Sequence, residues 1–136
     1  MKRARRIPNR ISELRPLSTW AVEAASELGC PPSRCFDIDL CLTEGVSNVI
    51  RHGYADDALH EIDVELTREP GAVVVRIEDD GRPFDPLSAP EPVRAPLEAA
   101  RPSGRGIALL KDSADAVSYE RVDGRNRLSM RFAFDD

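Results

Sequence analysis

Glu44-Gly45-Val46-Ser47-Asn48-Val49-Ile50-Arg51-His52-Gly53-Tyr54 decides the architecture, because a buried stripe and a polar stripe run along one helix. Ile38, Cys41, Leu42, Gly45, Val49 and Gly53 mark the apolar face of a helix that ends near Gly53. At ~100° per residue, Asp37, Glu44, Asn48 and Arg51 fall in one sector of about 60°, away from that face. Glu44 and Asn48 stand one turn apart and point the same way. An acid beside an amide oxygen suits Mg²⁺, which takes oxygen ligands and leaves room for waters and phosphates. A free carboxylate can also orient or deprotonate a hydroxyl nucleophile. A solvated helix face would carry the same residues, and this segment alone does not separate the two.

Upstream, Ile11, Leu14, Leu17, Ala21, Ala24, Ala25 and Leu28 recur at helical spacing. Ser12 is placed to cap that helix, Pro16 falls near its first turn, and Gly29 stops it. Pro31-Pro32 breaks the chain and Ser33 can cap the next helix. The basic start (Lys2, Arg3, Arg5, Arg6, Arg10) ends in Ile7 and Pro8 and reads as a short edge strand over about residues 2–8. Downstream the period changes to two. Ile62, Val64 and Leu66 alternate with polar residues, Pro70-Gly71 turns, and Val73, Val75 and Ile77 alternate again. A second hairpin runs through Val117 and Tyr119, turns at Asp123-Gly124, and returns with Leu128, Met130, Phe132 and Phe134 on one side. Between the hairpins, Pro86, Pro90, Pro92, Pro96 and Pro102 exclude a regular strand or long helix. A short helix follows over about residues 105–114. The order β-α-α-β-β-loop-α-β-β specifies an α/β (α+β) two-layer sandwich. Its sheet is expected to be mixed but mostly antiparallel, with about five strands and three helices on one face.

Two further motifs flank the proline-rich connection. Asp79-Asp80-Gly81-Arg82-Pro83-Phe84 directly follows an apolar strand. A carboxylate there is an acceptor-only group. It could take a hydrogen bond from the exocyclic amine of adenine, which guanine does not offer in the same place. Gly81 would let a base approach the backbone closely. An ordinary Asp-Gly turn after a strand is the plainer reading. Ser103-Gly104-Arg105-Gly106-Ile107 opens a helix, where backbone amides and the helix N-terminus favour phosphate. A connection this long between two such motifs suits a closing lid.

Composition narrows the class. A chain of 136 residues fits one domain over 1–136. A net charge of −5 gives no bulk attraction to nucleic acid, so none is expected as a partner. No apolar stretch is long enough to span a membrane and no signal-peptide core follows the N-terminus, so the cytoplasm is the expected compartment. Cys30, Cys35 and Cys41 make no C-x-x-C pair, and His52 and His60 lack the spacing of a helical metal pair, which argues against zinc.

The three motifs together resemble the N box and the two glycine boxes of the GHKL ATPase superfamily. Residues Thr43 to Tyr54 are similar to the T-E-A-V-x-N-x-I-x-H-G-Y pattern of its compact bacterial branch, the anti-sigma factor serine kinases of the RsbW/SpoIIAB type. Residues Asp79 to Pro86 resemble that branch's D-x-G-x-P/G-F-D-P. The resemblance covers nearly the whole chain. It implies ATP and Mg²⁺ as cofactors, Asn48 as the magnesium ligand and Glu44 as catalytic base. It further implies Asp79 and Gly81 at adenine, Ser103, Gly104, Arg105 and Gly106 around the phosphates, and residues of about 85–103 as the ATP lid. Ser129 falls where the family often has a threonine beside adenine. Two departures stand out: Gly45 replaces the usual alanine, and Arg105 puts a long cation into the phosphate loop.

The resemblance implies a serine/threonine protein kinase that binds a sigma factor and phosphorylates a serine of an anti-anti-sigma (STAS) protein, as a homodimer. The alternatives are a nucleotide-dependent binding module without kinase activity, and a detached ATPase domain of a histidine kinase. The second lacks a phosphoacceptor helix hairpin in this sequence.

Overall fold

The computed structural model describes residues 1–56, 58–83, 85, 110 and 112–135. Their elements run β1 (Lys2–Pro8), α1 (Leu14–Glu27), α2 (Pro32–His52), β2 (Glu61–Glu69), β3 (Ala72–Asp79), β4 (Ala116–Val122) and β5 (Arg125–Ala133).

Helix boundaries follow from backbone chemistry rather than from the capping side chains expected. Ser12 lies inside a single 3₁₀ turn, Ile11–Glu13, so Glu13 takes the N-cap of α1 without a side-chain bond. Ser33 is likewise not a cap. The helix starts one residue earlier, with Pro32 in the first turn, where a missing N–H costs nothing. Gly29 does stop α1. At φ 96° it lets its own N–H reach Ser26 O at 3.0 Å and the Cys30 N–H reach Ala25 O at 3.0 Å, a Schellman closure.

The five strands form one sheet in the order β1-β2-β3-β5-β4. Every described pairing is antiparallel, so the parallel component expected of a mixed sheet is absent among the described residues. The cause is local: β2 and β3 are joined through Pro70-Gly71, and β4 and β5 through Asp123-Gly124. Asp123 and Gly124 both hold positive φ, at 51° and 76°, the primed turn that matches the twist of a tight hairpin. The long connection places β4 outside β5, and β5 zips onto β3 with Ile77 opposite Leu128 and Asp79 opposite Asn126.

Period-two alternation gives the sheet one dry face. Ile7, Ile62, Val64, Leu66, Val75, Ile77, Met130 and Phe132 are buried with Leu17 and Ala21 of α1 and Ile38, Leu42 and Val46 of α2. The other face carries cross-strand ion pairs, among them Arg127–Glu78 at 2.6 Å, Arg6–Asp63 at 2.7 Å and Arg125–Asp63 at 2.9 Å. One packed and one wet face is the usual economy of an antiparallel sheet. Of the third expected helix, Leu110, Asp112 and Ser113 are described and helical, and Leu110 is fully buried in the core. Among the described residues no helix is long and apolar enough to cross a membrane.

Candidate functional site

Asp79 is the last residue of β3, on the parity of Ile77 and Val75, so it turns toward the helices and is buried. Directly above it, Gly53 ends α2. Two hydrogen bonds dock the Asp79 turn onto that helix end: Arg82 N–H to Gly53 O at 2.9 Å, and Arg82 Nε to His52 O at 2.6 Å. The approach is so close that a Cβ on Gly81 would lie 2.5 Å from Gly53 O and 2.8 Å from Asp79 Oδ1. A glycine is therefore needed here for the turn to meet the helix. The close approach expected at Gly81 is to the Gly53 carbonyl, and Gly81 does not line the pocket beneath.

Both hydrogen bonds to Asp79 arrive at one oxygen. Oδ1 accepts from Gly81 N–H at 2.9 Å and from Asn126 Nδ2 at 3.0 Å. Oδ2 accepts none among the described residues. Burial pushes the Asp79 carboxyl above the usual carboxylate range, opposed by those two bonds and by Arg121. The pocket is walled by Val49, Ile77, Leu128 and Tyr119, with Asp79, Asn48 and Asn126 as its polar groups. Apolar walls with few convergent polar groups are the lining that suits a heterocycle whose edge donates a hydrogen bond, although the cavity itself measures about 30 Å³ and its walls must part to admit one. Gly45 also lines it, and a Cβ there would come within 2.7 Å of Ile77 Cδ1. The departure from alanine thus lets Ile77 seat against α2.

Along α2, Asn48 of the Glu44–Asn48 pair lines the same pocket. Asn48 is buried, and both of its side-chain polar atoms lack a hydrogen-bond partner. Glu44 Oε1 is buried and unpartnered as well. Leaving such groups unsatisfied costs stability, about 1–3 kcal/mol each. The Asn48 oxygen is a hard donor of the kind Mg²⁺ takes. Among the described residues no cluster of three or more His, Cys, Asp or Glu could hold a metal by itself. The Asn48 carboxamide oxygen, unpartnered within the chain, is the donor among the described residues that would suit magnesium arriving with a nucleotide. Burial raises the Glu44 carboxyl above its ordinary range, with Arg51 opposing, which makes it a better proton acceptor.

Not every expected residue joins the site. Ser129 pairs with Arg76 and Ser118, on the parity opposite to Leu128 and Met130. Its side chain therefore belongs to the outer face of the sheet, and the placement beside adenine is corrected. Asp37 shares the polar sector of α2 but is held at 3.1 Å by Arg34. That guanidinium also bonds Ser113 O, Ala133 O and Asp115 and is structural. Ser103, Gly104, Arg105 and Gly106, and the lid apart from Asp85, lie outside the described residues. Asn126 and Tyr119 are the pocket residues that sequence reasoning missed. The signal for Asn126 was present: continuing the Leu128–Met130–Phe132 face two residues back lands a polar side chain on the core side.

The histidine kinase-like ATPase domain family matches residues 7–132. The serine/threonine-protein kinase BtrW of Bordetella bronchiseptica is 32% identical over 96 residues, 70% of this chain and 68% of that protein. The anti-sigma F factor of Bacillus subtilis is 30% identical over 88 residues, 62% of this chain, which spans 58% of that protein's length. Among solved structures, the RsbU and RsbW domains of Rv1364c from Mycobacterium tuberculosis share the fold at TM-score 0.68 and 19% identity, over 96% of this chain and 32% of that one. The SiaB-SiaC complex from Pseudomonas aeruginosa aligns at TM-score 0.57 and 23% identity, over 97% of this chain and 89% of that one.

Proposed function

This chain belongs to the histidine kinase-like ATPase domain family, and from that premise we propose that it is an ATP-dependent serine/threonine protein kinase acting as an anti-sigma factor. It binds a sigma factor and phosphorylates a serine of a small anti-anti-sigma (STAS) protein, working as a homodimer. The single observation that carries the ATP-binding and phosphotransfer reading is the buried, unpartnered Asn48 amide, with Glu44 Oε1 unpartnered one turn before it, beside the Asp79 carboxylate in one pocket. The names of the two curated relatives, a serine/threonine kinase and an anti-sigma factor, support the choice of partner class.

In this mechanism Asp79 Oδ2 accepts the adenine amine, and Val49, Ile77, Leu128 and Tyr119 enclose the ring and exclude water. Asn48 would hold Mg²⁺ through its carboxamide oxygen, where the ion would neutralise phosphate charge. Glu44 accepts the proton of the incoming serine hydroxyl, and its raised basicity suits that transfer. The phosphate contacts are assigned, by resemblance, to Ser103–Gly106. The test is transfer of labelled phosphate from ATP to a purified STAS protein, beside the same protein with its acceptor serine changed to alanine. Label on the serine protein alone is expected. ATP uptake with no transfer to any STAS partner would leave a nucleotide-dependent binding module instead.

A further inference from the structure

Asn126 is buried, and all four of its side-chain hydrogen-bonding positions are engaged. Its Nδ2 donates to Asp79 Oδ1 at 3.0 Å and to Arg82 O at 2.8 Å. Its Oδ1 accepts from the Tyr119 hydroxyl and from Arg121 Nη1 at 3.1 Å. These partners leave the amide one orientation. Arg121 can only donate, while the Arg82 carbonyl and the Asp79 carboxylate can only accept. A flipped amide would set oxygen against two acceptors and N–H₂ against a guanidinium. Arg121 Nη1 also donates to Gly81 O at 2.7 Å, so the β4–β5 hairpin grips both the carboxylate and the turn that carries it.

We propose that Asn126 is a positioning and specificity residue for the nucleotide base. By occupying Oδ1 with a donor whose orientation is locked, it aims Asp79 Oδ2 into the pocket as a fixed acceptor. An adenine amine is then accepted and a guanine carbonyl is repelled. The inference rests on the ATP reading of this pocket. Asn126 also favours the charged form of Asp79, together with Gly81 N–H and Arg121, against burial and the nearby Asp80. Just past the end of α2 the Tyr54 hydroxyl donates to the neighbouring Asp80 at 3.1 Å, with the Asp79 charge close by.

Asn126→Asp isolates the donor. It is isosteric and keeps an acceptor for Tyr119 and Arg121, but sets a second carboxylate against Asp79. Two carboxylates so close cannot both ionise without raising one pKa, so the pair regains a donor only by taking up a proton. ATP affinity of the full chain, by calorimetry with Mg²⁺, should fall about tenfold or more at about pH 8. It should return to within about threefold of wild type at about pH 5.5. The preference for ATP over GTP should narrow at the higher pH. Equal affinity at about pH 8, or the same deficit at both pH values, overturns the inference. Should that variant not fold, Asn126→Ala removes the donor to Asp79 Oδ1 without adding charge. Weaker ATP binding with a narrower ATP/GTP ratio is then expected, and unchanged values overturn the inference. A wild type that takes up no ATP overturns the reading of the pocket and this inference with it. A wild type that binds, beside an unaffected Asn126→Asp, overturns the inference alone.

Discussion

Asp79→Asn exchanges one oxygen for an amide nitrogen, and the geometry says which. Oδ1 must stay an acceptor, because Gly81 N–H at 2.9 Å and Asn126 Nδ2 at 3.0 Å both point at it. The new NH₂ therefore takes the place of Oδ2 and faces the pocket. There it presents a donor to the adenine amine, also a donor. Losing a hydrogen bond to a charged acceptor costs ~1.5–3 kcal/mol, roughly ten- to hundredfold in affinity. Stability should move the other way. Burial raises the Asp79 pKa in the folded state, so folding favours the protonated carboxyl, and the charged form carries a penalty at neutral pH. The variant removes that penalty, so its ligand-free melting temperature should equal or exceed that of wild type. As pH falls below the folded pKa toward the unfolded value, wild type takes up its proton and the difference should shrink. Calorimetry with Mg-ATP and thermal melts over that pH range check both halves. Equal ATP affinity would refute the assignment of Asp79 to the base, and a lower melting temperature near neutrality would refute the burial argument.

Glu44→Gln should keep nucleotide affinity and lose phosphotransfer by ~10²–10⁴-fold, as expected for a general base, in the labelled-phosphate assay. Asn48→Ala should weaken Mg-dependent ATP binding in calorimetry while leaving ligand-free stability level or higher, since its amide atoms have no partner to lose. Gly81→Ala drives a Cβ to 2.5 Å from the Gly53 carbonyl, so the docked turn must shift, lowering stability by about 1–3 kcal/mol in a denaturant titration and ATP affinity with it. Burial pushes the Cys30 and Cys41 thiols up to about 11, so both should resist alkylation at neutral pH until the protein unfolds, as mass spectrometry would read.

The helices, the hairpins and the three motifs were legible because each depends on neighbours close in sequence. The 3.6-residue stripe of α2 and the two-residue alternation of β2, β3 and β5 state their buried faces directly. The Glu44–Asn48 pairing needs only one helical turn. Capping was less legible: Pro32 and the 3₁₀ turn at Ile11–Glu13 took over from Ser33 and Ser12, since backbone geometry satisfied the helix ends first. Ser129 was misplaced because a strand reverses its side chain at every residue, so a motif position off by one lands on the opposite face. What Asp79 does beyond being a buried carboxylate was decided by tertiary structure. Its orientation comes from Asn126, 47 residues away, through the antiparallel register of β3 and β5, and its depth from the contact of Gly81 with the end of α2. Sequence alone determined which groups this chain carries and on which elements. Only the sheet order and the docking of one turn decided which oxygen of Asp79 is held by the chain, because hydrogen-bond direction is fixed by atoms that distant segments bring together.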